Sequence, residues 1–251
     1  GPQGFEYAAA RALMTNEVLA VIEGARAAGV TECVVCDSHG NGLSILADRM
    51  PTGSWLVRSW PRPLLMMQGI EQGDYVGAVL LGYHAGADDP AGTMAHTLSS
   101  RGIAGLRING EVADEATISA ATAGHFGLPV LLATGDDIFI ASARQRRLAV
   151  EYVTTKQSCG FFSAMAPSPA DVCAQLRQAA TRAVERHADG GLTRLDGPLA
   201  VEVRLTDRLA AEVLSFLPMF RRSGPTTIGF DVPDILALNR VLAFLLFCKS
   251  V

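Results

Sequence analysis

Three of the five histidines in this chain stand where chemistry can be assembled. His39 closes "ECVVCDSH", His84 closes "GAVLLGYH", and His96 follows twelve residues later on a glycine-containing loop, "AGADDPAGTMAH". Imidazole both ligates metals and moves protons near neutral pH. Glu115, in "INGEVADEATIS", adds a carboxylate near the start of a helix. This spacing excludes the helical His-Glu-x-x-His metal motif and fits a site assembled from separate loops. From the pattern alone two readings of His39, His84 and Glu115 stay open. They share a metal ion, or they are turn histidines facing solvent beside a carboxylate that the helix dipole favours, a role Asp114 or Glu111 serves equally.

The other reactive side chains have simpler explanations. Cys33 and Cys36 lie three apart in "TECVVCDSHGNG". In a strand such residues point to opposite faces, so they cannot hold one ion while the segment is extended. A thioredoxin-type pair belongs at a helix N-terminus, whereas these two thiols precede a loop. They read as small buried hydrophobes. His125 and His187 fall in last helical turns, where an imidazolium suits the dipole. Asp136 and Asp137, in "TGDD", suit an N-cap and the first turn of a following helix. "RSGPTTIGF" reads as a turn leading into a strand.

The elements that must position these groups alternate along the chain. "EYAAARALMTNEVLAVIEGARAAG" puts Ala10, Met14, Val18, Val21, Ile22 and Ala25 on one helical stripe, and Gly29 is a natural stop. Short apolar strands follow in "ECVVC", "GAVLLGYH" and "LPVLLATG", with helical composition in "EVADEATISAATAG" between the last two. The spacing predicts an α/β fold with a mostly parallel sheet flanked by helices. Ligands bind such sheets beyond the carboxyl ends of the strands, which is where His39 and His84 fall. Residues 1–155 read as this α/β domain and 156–251 as a smaller C-terminal α/β region. The latter opens on a helix with Ser168 as N-cap and Pro169 at its first position. A strand "LAVEVRLT", a helix "RLAAEVLSFL", a strand "TTIGFDV" and a final helix from about Pro233 complete it.

Bulk properties narrow the function classes. The chain has 251 residues, is 49% hydrophobic and carries a formal charge of −4, enough for one large or two modest cores. With no basic run, nothing marks a nucleic-acid surface. The longest apolar stretches, such as "VLAFLLFC", fall far short of the ~20 residues that span a bilayer. Five scattered cysteines fit reduced thiols and a cytoplasmic setting rather than a disulfide framework.

Taken together, several segments resemble the zinc-dependent D-aminopeptidases of the DppA type, peptidase family M55. They are "EYAAARALMTNEV" at 6–18, "DSHGNG" at 37–42, "GYHAGA" at 82–87, "MAHT" at 94–97, "INGEVADE" at 108–115, "PVLLATGDD" at 129–137, Lys156–Gln157 and "SGPTTIGF" at 223–230. The resemblance runs over nearly the whole chain. It implies release of an N-terminal D-amino acid from short peptides at a two-zinc site. It also implies a ring-like homo-oligomer, with a decamer as the candidate size. Carried over by position, His39, His84 and Glu115 match metal ligands and His96 matches the catalytic histidine. The family begins with a strand carrying Asp-x-Glu-Gly, and the segment bearing it is expected before Gly1. Two alternatives stay beside this reading: a non-catalytic peptide-binding or assembly protein of the same fold, and another metallohydrolase using the same sheet edge.

Overall fold

The computed structural model describes residues 4–248. Its first helix, α1 (Tyr7–Ala27), buries Val18, Ala20, Val21 and Ile22, and the chain leaves it through Gly29 at φ +96°, a left-handed conformation that costs glycine little. Strand β1 (Cys33–Cys36) pairs in parallel with β2 (Ser54–Val57). Neither strand shares a ladder with the sheets that follow, and the Asp-x-Glu-Gly strand expected before Gly1 lies outside the described residues.

The parallel centre of the molecule is β3 (Ala78–Tyr83), β6 (Val130–Asp136) and β7 (Glu151–Gly160), with β8 (Ser163–Met165) antiparallel at the edge. Every residue of β6 is buried, because both faces of a parallel sheet are covered and a continuous apolar run can fill them. One face packs on α1 and α4 (Pro169–Glu185), through Leu131, Leu132, Leu176 and Ala180. The other packs on α2 (Glu115–His125) and α3 (Asp137–Gln145), through Leu80, Ala116, Phe139 and Ile140. The crossing of α1 on α4 is close at Gly24, where a Cβ would meet the Arg177 carbonyl oxygen at 2.1 Å.

A five-stranded antiparallel sheet forms the second layer. Its order is β10 (Arg221–Arg222), β11 (Thr227–Val232), β9 (Leu199–Leu205), β4 (Ile103–Ile108) and β5 (Glu111–Val112). In β9, Leu199, Val201, Val203 and Leu205 are buried while Ala200, Glu202 and Arg204 face solvent, the alternation of a sheet covered on one side. The covered side packs on α6 (Ile235–Phe247) and on Ala211 of α5 (Arg208–Leu214).

The fold is therefore α/β with a parallel-rich sheet flanked by helices. The sequence reading does not anticipate the antiparallel layer, since period-two patterning shows that a strand is half-covered but not which strand it joins. The division drawn at 155/156 falls inside β7, and β4 from the first region lies between β5 and β9. Strands β2 and β7 also escape the sequence reading, since neither is a plain apolar run.

Candidate metal centre

His84 is the residue after β3. The strand is held against β6 by its parallel ladder and by Gly82 N–H donating to Thr134 Oγ1 at 2.8 Å. The backbones approach so closely that a Cβ on Gly135 would stand 2.3 Å from the Tyr83 carbonyl oxygen. That packing fixes where the chain leaves the sheet. His84 Nδ1 lies 3.0 Å from the Ala85 carbonyl oxygen.

The loop after His84 turns back so that His96 N–H donates to Ala85 O at 3.2 Å, and His96 Nδ1 lies 2.8 Å from Met94 O. Met94 and Leu98 both take positive φ, +53° and +63°, a strained choice for such side chains. Three contacts hold them there. Thr93 N–H donates to Asp136 Oδ2 at 2.8 Å, Met94 N–H to Phe161 O at 2.8 Å, and Leu98 N–H to Glu115 Oε1 at 2.7 Å. Asp136 is also the N-cap of α3, accepting from Phe139 N–H at 2.8 Å. Its capping role, expected from the sequence, thus has a second half that anchors the His96 loop.

Glu115 is the first residue of α2. Asp114 caps that helix by accepting from Thr117 N–H at 2.7 Å, and Arg146 grips the Asp114 carboxylate. Burial pushes the Asp114 carboxyl upward, but Arg146 and the Thr117 bonds outweigh it and hold the group below the usual range.

These elements bring His84, His96 and Glu115 together, with one candidate ligand atom from each, all within 4.8 Å of one another. Glu115 Oε1 is 3.6 Å from His84 Nε2 and 3.7 Å from His96 Nε2, and the two imidazoles stack at 4.1 Å between centroids. Side-chain exposures of 23%, 29% and 17% leave the group open to a ligand from solvent. In both histidines Nδ1 faces a carbonyl oxygen, which can only accept, so Nε2 carries the free lone pair. Two imidazole nitrogens and a carboxylate oxygen are an ordinary donor set for zinc.

His39 stands on the loop after β1, outside that group but close enough for its electrostatics to reach. Burial lowers its affinity for a proton, and the nearby His84 and His96 rings act in the same direction against the opposing Asp37 carboxylate. Its Nδ1 lies 3.1 Å from Ser44 Oγ. Asp37 is buried and accepts from Ile45 N–H at 2.7 Å through Oδ2. The five cysteines are unpaired, and Cys36 Sγ lies 2.7 Å from the buried Arg62 guanidinium. His125 closes α2, and His187 lies in the turn after α4 with Nδ1 on Val184 O. Sequence reading passed over Arg146 and Ser44. Arg146 gives no local signal, because its partner lies thirty-two residues away.

An α/β fold that gathers an imidazole at a strand end, a second on the following loop and a carboxylate at a helix start defines a protein built around a candidate metal centre. The family model for the M55 peptidases, described as D-aminopeptidase, matches residues 1–244, and the chain belongs to that family. It is 28% identical over 232 residues to a D-aminopeptidase of Bacillus subtilis (strain 168), covering 92% of this chain and 83% of that protein. It also resembles the solved structure of the Zn-dependent D-aminopeptidase DppA from Bacillus subtilis, a self-compartmentalizing protease. The TM-score is 0.88 at 25% identity, with 97% of this chain and 89% of that one covered.

Proposed function

We propose that this protein is a zinc-dependent aminopeptidase that removes an N-terminal D-amino acid from short peptides, with His39, His84 and Glu115 as metal ligands at a two-zinc site. The observation that carries the reading is the meeting of His84, His96 and Glu115 at the rim of the sheet in a chain of this family. Bound zinc there would lower the pKa of a water molecule and polarise the scissile carbonyl.

The chain's own groups supply the rest. His96, with Nδ1 donating to Met94 O, has Nε2 free to take a proton from the attacking water and hand it to the departing amine nitrogen. The C–O bond to the water oxygen forms first, the proton passes through the imidazole to the amine nitrogen, and the C–N bond then breaks to release the amine. Leu98 N–H holds Glu115 Oε1, so the carboxylate keeps its aim while the histidine works.

A second reading of His96 comes from the geometry. Its Nε2 lies as near to Glu115 Oε1 as that of His84 does, so His96 itself can serve as a ligand. Zinc content of a His96→Gln variant separates the two roles. For the function as a whole, the test is zinc analysis together with amino-acid release from D-Ala and L-Ala forms of one short peptide. Zinc near or above one per chain with release from the D form is expected. Zinc well below one per chain with no release would sink the reading.

Self-association into a ring, up to a decamer, is part of the same proposal. Leu209, Val213, Phe216, Leu217 and Met219 are exposed within eleven residues of α5 and the segment after it. Apolar side chains concentrated in this way suit a subunit contact. The unpaired thiols accord with a reducing compartment such as the cytoplasm.

A further inference from the structure

The loop of residues 37–46, which carries His39, is pinned at several points along its length. Asp37 Oδ2 accepts from Ile45 N–H at 2.7 Å, His39 O from Gly42 N–H at 2.9 Å, and Gly42 O from Ser59 N–H at 2.8 Å. Arg11 Nε donates to Ser44 O at 3.3 Å, and Leu46 N–H donates to Thr15 Oγ1 at 3.0 Å. Gly42 sits at φ +67°, where a Cβ would fall 2.8 Å from Ser59 N. The loop therefore has little freedom, and it buries Ser44 completely, with Oγ 3.1 Å from His39 Nδ1 and 3.5 Å from His39 O.

We propose that Ser44 is a positioning residue that accepts the Nδ1–H of His39 and so leaves Nε2 as the nitrogen offered to a metal ion. The proposal rests on the reading of His39 as a ligand. A neutral imidazole carries one N–H, and the partner of one nitrogen decides the state of the other. A serine hydroxyl is the one kind of partner here that could do either job. If it donated into Nδ1, the proton would sit on Nε2 and block ligation. If it accepts from Nδ1, its own proton needs another acceptor, and the His39 carbonyl oxygen stands within 3.5 Å.

His84 and His96 set the pattern, since Ala85 O and Met94 O fix both with the proton on Nδ1. The same tautomer at His39 gives three imidazoles that all present Nε2. For His84 and His96 a backbone carbonyl imposes that state, and no side-chain substitution removes it. At His39 the state depends on one hydroxyl, so Ser44 is where sequence change can detune the site without touching a ligand.

The experiment uses histidine labelled with 15N, read by NMR in the metal-free protein, and zinc affinity measured by competition with a chromogenic chelator. Wild type and Ser44→Thr, which keeps the hydroxyl, are expected to carry the His39 proton on Nδ1 and to bind zinc within about threefold of each other. In Ser44→Ala the Nε2–H form should gain population, and zinc affinity should fall on the order of 10–100-fold. Ser44→Cys, close in size and a poor acceptor, carries the test should the alanine variant not fold. An unchanged tautomer and unchanged affinity in the non-hydroxyl variants overturn the proposal. His39→Ala, run alongside, separates the two ideas. If zinc binding survives it, His39 is no ligand and the Ser44 role falls with it. If zinc is lost there but not in the Ser44 variants, only the Ser44 role fails.

Discussion

Arg146 clamps Asp114 with both terminal nitrogens, Nη2 to Oδ2 at 2.9 Å and Nη1 to Oδ1 at 3.1 Å, one residue ahead of Glu115. The same Nη1 reaches Thr117 Oγ1 at 2.8 Å, so the end of α3 fastens the first turn of α2. A bidentate guanidinium–carboxylate pair fixes direction as well as distance. The aim of the Glu115 carboxylate toward His84 and His96 thus depends on a residue that touches neither.

Arg146→Met is therefore expected to cost about 1–3 kcal/mol of stability at neutral pH, because the largely buried Asp114 carboxylate loses its partner. The sign with pH follows from the depressed Asp114 pKa. Its stabilisation is present above the ordinary carboxylate value and is lost as pH falls through the lowered folded-state value. Urea denaturation at a series of pH values should show the wild type keeping this increment until the pH drops below the ordinary range. The variant should lack it already at neutral pH. Equal stability of the two proteins at pH 7 would show that the clamp contributes nothing.

His96→Gln is close in size and puts a polar amide near the position of Nε2 but cannot carry a proton. A proton-transfer role predicts zinc content equal to wild type and a loss of roughly 10²–10⁴-fold in kcat. A matching fall in zinc content would instead make His96 a ligand. His84→Ala provides the comparison, and it should lose zinc in either case.

Asp136→Ala deprives two backbone N–H groups, Thr93 and Phe139, of their acceptor at once. Leaving Phe139 N–H unsatisfied in a fully buried place should cost about 1–3 kcal/mol, and the half-buried Thr93 N–H less. Asp136→Asn retains one acceptor oxygen and should fall between. Chemical denaturation measures the loss, and the alanine variant should also bind zinc more weakly, since the loop carrying His96 loses an anchor. A fall in stability with zinc affinity untouched would show that this anchor does not position the site.

Phe216 is 72% exposed in the apolar strip after α5. Phe216→Asp is expected to leave the thermal midpoint of the subunit nearly unchanged while reducing the mass seen by sedimentation. If the variant sediments as wild type does, the strip is not the subunit contact.

Much of this protein was legible in its sequence because the information is local. The Val18, Val21 and Ile22 part of the α1 stripe, though not the exposed Ala10, and the Ser168 cap of α4 each rest on residues within a few positions of one another. The apolar run of β6 is as local, and so is the placement of His39 and His84 directly after strands. The same holds for Asp136 as a cap, since the group it serves is three residues on. What the tertiary structure alone decided are relations between distant residues. Sequence marked Leu199 to Leu205 as a strand, but only folding set β9 between β11 and β4, because ladder partners are chosen by which faces the whole chain can bury together. The stacking of His84 on His96 against Glu115, and the hold of Arg146 on Asp114, arise likewise where a strand end, a strained loop and two helix termini meet. No short window contains those meeting points, because their geometry comes from the packing of elements that the local sequence specifies only one at a time.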